Sequence, residues 1–246
     1  MSGAEPSKNE KLFALGAAMT ACTGRLGSEV CPGLEGKRVE NAPEKGIHPR
    51  GLFLWRNDGD VGSVEDVSVV VVSQNPGRAD LFERWANRLL PRDHHRGRFE
   101  ETSSLLAKEC TRIPHYARLA RLLQHLWSDL DRRTVLFAEV VYCQSAADKK
   151  PNRKTYAFCG AVHLEPQIEL VGDGATVICA GAQVAKWFRS SKHAARFRWV
   201  QAEHPSGKSM EWPRLFAGDG LDPSVSARWQ GVVSGSLPSG TKLLPD

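Results

Sequence analysis

The sequence predicts a three-layer α/β/α domain built on a mostly parallel four-stranded sheet, and three observations carry that prediction. Four runs rich in β-branched residues, Val67–Ser73, Thr134–Tyr142, Ala175–Ala180 and Phe197–Ala202, have the length and composition of strands. The first three are continuously apolar instead of alternating, which is how strands read when helices cover both faces of a parallel sheet. Helical patterns fill the gaps, and strands alternating with helices imply parallel pairing through crossovers.

Taken in order, residues 1–10 are small and polar and read as a disordered tail, followed by a single domain over 11–230. Leu81 to Leu90 looks helical. Tyr116, Leu119, Leu123, Leu126 and Leu130 keep a three-four spacing after Pro114, the period of an amphipathic helix. Asn152 suits the cap of a helix through Cys159, and Ala182 to Phe188 is helical in pattern. Residues 231–246, with several Gly, Ser and Pro, read as a flexible tail.

Thirty-three Lys and Arg against 28 Asp and Glu leave a net charge of +5, which permits a polyanionic partner without demanding one. No run approaches the roughly 18 uninterrupted apolar residues of a membrane helix, and Met1 to Glu10 lacks the apolar core of a secretory signal. A soluble, cytoplasmic monomer is expected, associated with the nucleoid if the source is bacterial. Six cysteines are too sparse for a disulfide scaffold, so they read as buried thiols, metal ligands or nucleophiles.

The first strand runs into Ser73-Gln74-Asn75-Pro76-Gly77 and the last into His204-Pro205-Ser206-Gly207. Parallel sheets bind ligands beyond their strand C-termini, so both loops fall on the ligand edge. There an Asn can orient a water, a His can stabilise negative charge on a leaving group, and a Pro-Gly turn can offer backbone N–H groups to an anion. Either motif alone is also an ordinary solvated turn. Together, each closing a strand, they point to chemistry.

Those two motifs, in that order and strand context, resemble the uracil-DNA glycosylase superfamily, most closely its iron-sulfur branch. The resemblance runs in short islands from about Cys22 to Pro213. Gly97-Arg98-Phe99 is similar to the stretch whose Phe stacks on the extruded base, and Val140-Val141-Tyr142-Cys143 to the strand end that leads into a cluster cysteine. Cys159, Leu164 and Gln167 are similar to the family's cluster helix, and Gly181 with Ala185 to its glycine turn. The resemblance implies Asn75, His204 and the backbone of Gln74 as catalytic groups. It implies Phe99, Glu139 and Gly77 around the base, and Ser206, Gly207, Lys208 and Met210 on DNA. It further implies a 4Fe-4S cluster on Cys22, Cys31, Cys143 and Cys159. The 16 residues from Cys143 to Cys159 match the interval between the family's third and fourth ligands, but eight residues separate Cys22 from Cys31 where the family has two. Four thiolates would suit an iron-sulfur cluster or zinc, and unligated buried thiols are the alternative. Cys110 and Cys179 fall in helical and strand patterns and read as core.

Glu139 stands where uracil enzymes of this branch carry an Asn. An Asn amide both donates and accepts, matching uracil; an ionised Glu only accepts, matching an exocyclic amine such as that of cytosine. The alternative is a Glu139 turned away to cap a helix or pair with an Arg. Gly77 replaces a bulky Tyr that blocks the base's 5-carbon side in strict uracil enzymes, which leaves that side open. The implied activity is monofunctional hydrolysis of the N-glycosidic bond of a flipped non-standard base, a modified cytosine foreign to the host, with an anti-phage role. The rivals are ordinary uracil repair and a catalytically silent DNA-binding relative. Gly207-Lys208-Ser209 ends like a P-loop but lacks its first Gly. Basic residues at Arg92 to Arg98, Lys149 to Lys154 and Lys186 to Arg198 are candidates for phosphate contacts, or else plain solvated faces.

Overall fold

The computed structural model describes residues 5–20, 25–26, 29–30, 52–60, 62–74, 95–141, 153–205 and 210–245. Ten strands occur among them: β1 (Arg25–Leu26), β2 (Glu29–Val30), β3 (Phe53–Trp55), β4 (Val67–Ser73), β5 (Thr134–Glu139), β6 (Thr176–Ala180), β7 (Arg198–Ala202), β8 (Phe216–Ala217), β9 (Gly220–Leu221) and β10 (Thr241–Lys242). The α-helices are α1 (Lys8–Thr20), α2 (His95–Glu109), α3 (Pro114–Leu126), α4 (Arg153–Cys159), α5 (Glu165–Glu169), α6 (Ala182–Arg189) and α7 (Pro223–Ser234). A π-turn over Gly160–Leu164 joins α4 to α5. No described helix is long and apolar enough to cross a membrane.

The main sheet has the order β10-β7-β6-β4-β5-β3, parallel throughout except for β3, which pairs antiparallel with β5. The four predicted strands form its centre, and the sheet is six-stranded, not four-stranded. The two extra edges are three and two residues long, too short to show a β-branched run. Successive residues of β4 face opposite layers. Val69 and Val71 join a core with α3 and α7, while Val70 and Val72 join a second core with α1, α4 and α6. Helices therefore cover both faces, which is why β4 has no polar alternation.

Both termini depart from the predicted tails. At the start, the Ser7 hydroxyl accepts from the Glu10 N–H (3.2 Å) and the Glu10 carboxylate accepts from the Ser7 N–H (2.7 Å), a capping box that begins α1 inside the segment read as disordered. At the other end, β10 pairs with β7, and Leu243 and Leu244 are buried. The Gly and Ser residues of that region make the turn that brings the chain back. Leu81 to Leu90 lies outside the described residues.

The α3–α7 layer is closed by Trp229, whose indole N–H donates to the Leu126 carbonyl (3.2 Å) and whose ring meets Trp127 edge-on at 4.4 Å. Trp229→Ala removes a fully buried ring and is expected to cost about 3–5 kcal/mol, a fall in melting temperature of roughly 10 °C, measurable by thermal denaturation.

Candidate active site

The chain leaves β4 for β5 on one side and then crosses to β6 on the other, so the sheet's switch point lies at the C-terminal end of β4, where a ligand crevice is expected. Ser73 ends β4 in register with Glu139, which ends β5. Beyond them, Val140 N–H donates to the Ser73 carbonyl (2.9 Å) and Val141 N–H to that of Gln74 (3.1 Å), so the two strand exits are tied together past the sheet.

By strand parity Ser73 and Glu139 face the α3 layer. Glu139 is only 4 % exposed and accepts a hydrogen bond from the Tyr116 hydroxyl at 3.2 Å. The Ser73 hydroxyl lies 3.0 Å from His115 Nε2. Both partners come from the first turn of α3, which Pro114 starts at the ligand edge. The His115 ring stands 5.2 Å from that of Tyr116 and 5.8 Å from that of His204. A line of polar groups, Glu139, Tyr116, His115 and His204, thus crosses the strand ends.

His204 arrives from β7, two strands away from β4, and reaches inward over Gly181. That glycine follows β6 and caps α6 with φ of +104°, and a Cβ there would lie 3.3 Å from the His204 Cβ. The Gly181 N–H donates to the Ala202 carbonyl at 2.8 Å, and Arg118 of α3 donates to the Pro205 carbonyl at 3.0 Å. The start of the His-Pro loop is therefore pinned on both sides. Beside it, burial and the neighbouring Glu211 push the Glu203 carboxyl above its ordinary pKa. On the other face of the sheet, burial first and the Glu139 charge second push the Tyr156 phenol strongly up.

Of the predicted site residues, the structure brings Gln74, Glu139 and His204 to one edge. Asn75, Gly77, Ser206, Gly207 and Lys208 lie outside the described residues, Phe99 is described only as backbone within α2, and Met210 is 86 % exposed. Sequence reasoning missed Ser73, His115, Tyr116 and Arg118. The available signal was Pro114, which starts a strongly amphipathic helix whose first turn faces the ligand edge.

Among the predicted cluster ligands, only Cys159 is described; it is buried at the end of α4. Cys22, Cys31 and Cys143 lie outside the described residues, and among the described residues no group of three or more potential ligands could hold a metal. The elements that lead to two of those cysteines pack near that region: α1, which ends two residues before Cys22, packs on α5, the helix after the π-turn that follows Cys159, and Val141, two residues before Cys143, shares a core with Cys159. Cys110 and Cys179 are core, as predicted, and burial pushes the Cys110 thiol up to about 12.

The basic stretch from Lys186 to Arg198 is largely structural. Lys192 pairs with Glu169, Arg196 with Asp173, and Arg198 donates to the Val232 carbonyl (2.9 Å). Lys186 and Arg189 keep no ion pair among the described residues, and Arg189 lies over the Trp199 ring.

No curated protein shows significant similarity to the chain. The sequence profile of the Uracil DNA glycosylase superfamily matches residues 60–221, well over half of the 246, and spans β4 through β9 with every described element of the site. The chain belongs to the uracil DNA glycosylase superfamily, whose enzymes typically hydrolyse glycosidic bonds in DNA.

Proposed function

We propose that the protein is a monofunctional DNA glycosylase that removes an extruded modified cytosine and leaves an abasic site. The observation that carries this reading is Glu139, a carboxylate buried at the switch point and oriented by Tyr116. Ionised, that carboxylate only accepts hydrogen bonds, so it favours a base that presents an exocyclic amine and disfavours one that presents a carbonyl. Phe99 stacks on the base, and Gly77 leaves room at its 5-carbon.

In the reaction, Asn75 positions a water whose oxygen bonds to the anomeric carbon as the glycosidic C–N bond breaks and its electron pair leaves with the base, one proton of the water ending on the base nitrogen and the other staying as the sugar hydroxyl. His204 and the backbone N–H groups of Gln74 and Asn75 stabilise the charge that develops there, the electrostatic contribution that usually dominates. His115, between His204 and Ser73, holds the imidazole line in place. Ser206, Gly207, Lys208 and Met210 grip the strand, Lys208 or Met210 filling the space left by the base. Removal of a cytosine that only foreign DNA carries makes this a defence enzyme. The test is a panel of duplex and single-stranded DNAs carrying uracil, mismatched thymine or 5-substituted cytosines, scored for abasic sites. Excision of a 5-substituted cytosine well above uracil supports the reading, and efficient uracil excision overturns it in favour of ordinary repair.

Cys22, Cys31, Cys143 and Cys159 would hold a 4Fe-4S cluster, supported by the 16-residue interval and by the approach of α1 to α5. When bound, such a cluster supplies a cross-link between the N-terminal segment and the sheet, since hydrolysis needs no redox change. Anaerobically purified protein is expected to be brown with iron and sulfide, and Cys159→Ser to lose both; one zinc per chain would refute it.

A further inference from the structure

On the face of the sheet away from His115 lies a cavity of about 490 Å³, within the range of small-molecule sites. Its walls come from α4, α6 and the exit of β4: Arg153 and Tyr156, Gln183, Lys186 and Trp187, and Gln74. Nothing in the excision chemistry uses the α4 and α6 residues.

Four features give the cavity its chemistry. Arg153 and Lys186 are exposed at it and carry no ion pair among the described residues, whereas Lys192, Arg196 and Arg198 of the same basic stretch are all engaged. Trp187 is half-buried, and its indole packs so closely on Gly160 that a Cβ there would come within 2.5 Å of the ring. Tyr156 is only 8 % exposed and contributes wall, its hydroxyl being buried away from the open space with no hydrogen-bond partner among the described residues. The amides of Gln74 and Gln183 add donors and acceptors of the kind that read a base edge. The acidic side chain at the cavity, Glu165, lies 4.0 Å from Lys192, an ammonium it shares with Glu169.

An apolar ligand would leave the amides unsatisfied, and a neutral sugar would leave both cations without a counter-charge. A flat aromatic group joined to an anion satisfies all of them. We infer that the cavity is a second nucleotide site, taking a nucleobase against Trp187 and its phosphate on Arg153 and Lys186. Stacking on an aromatic wall with a cationic rim is how proteins hold nucleotides with little sequence preference. The same chemistry comes from a nucleotide of the DNA strand near the extruded one or from a free nucleotide. Because Gln74 immediately precedes Asn75, occupancy would buttress the exit of β4.

The test is direct binding by the full chain, followed by calorimetry with deoxyadenosine monophosphate, inorganic phosphate, and a short single strand that contains no excisable base. Saturable binding of the monophosphate, tighter than phosphate alone, identifies a free nucleotide as occupant. Binding of the strand but not the monophosphate, and its weakening by Arg153→Glu with Lys186→Glu, identifies a strand nucleotide. In either case Arg153→Glu with Lys186→Glu should weaken binding about tenfold or more, and Trp187→Ala by about tenfold, while Lys108→Glu, an exposed cation on the opposite layer, should not. Circular dichroism checks folding, and Trp187→Phe, which keeps a stacking ring, should retain most of the affinity. Failure of both probes to bind, or equal binding by the charge-reversed protein, overturns the proposal. No step needs excision, so a protein that binds nucleotide but cuts nothing refutes only the glycosylase reading, and one that cuts but binds neither probe refutes only this site.

Discussion

His204→Ala is expected to slow base release about 100- to 1,000-fold, the usual loss when one group that stabilises a developing anion is removed. Single-turnover rates on the excised substrate would measure it. DNA affinity should be largely kept, because in the proposed reaction the imidazole meets the departing base and not the phosphates, and the loop that carries it remains pinned by Arg118 at the Pro205 carbonyl. Packing should survive too: the lost ring sits against Gly181 and near His115, not in either apolar core. Asn75→Ala should show the same separation of rate from binding. Unchanged turnover in either variant would reject that residue's role.

Glu139→Asn should move preference from cytosine-type bases toward uracil by roughly 10- to 100-fold, the cost of facing a buried acceptor with a mismatched partner. An Asn carbonyl can still accept from the Tyr116 hydroxyl, while its NH₂ supplies the donor that a uracil carbonyl needs. Glu139→Gln keeps the side-chain length and gains the same donor, so it separates chemistry from reach. Competition between the two bases in one duplex reads the ratio directly. If the unaltered protein cuts uracil efficiently and neither variant improves it, Glu139 does not read the base.

How much of this was legible in the sequence depends on the length scale of each signal. Val67–Ser73 was readable to the residue because seven consecutive positions are buried or nearly so, and burial on both faces writes an unbroken apolar run. Phe53–Trp55 was not, since three apolar residues fit a strand, a turn or a helix equally well. The C-terminal strand hid behind turn-forming residues, and α1 behind a capping box of only two participating side chains. In the site, the place of His204 was legible because it follows a strand, whereas Glu139 was singled out only through the family resemblance, since the apolar run Thr134–Tyr142 continues past the observed strand end. His115 and Tyr116 were not, because their role comes from where α3 lies on the sheet, and no local pattern encodes that placement.

The pairing of β10 with β7 has a consequence for how the protein is made. Synthesis is vectorial, and β10 is the last strand of the sheet to leave the ribosome. Until it does, β7, the strand that delivers His204, presents an unpaired edge with Trp199, Val200 and Ala202 along it, a ready template for another nascent chain. Leu243 and Leu244 then close that edge by burying into the core on the α3 and α7 side of the sheet. Chains that stop before residue 241 should accordingly clump during expression even though every described residue of the reaction site has already been translated, and slowing synthesis over the final segment should worsen the yield of soluble protein.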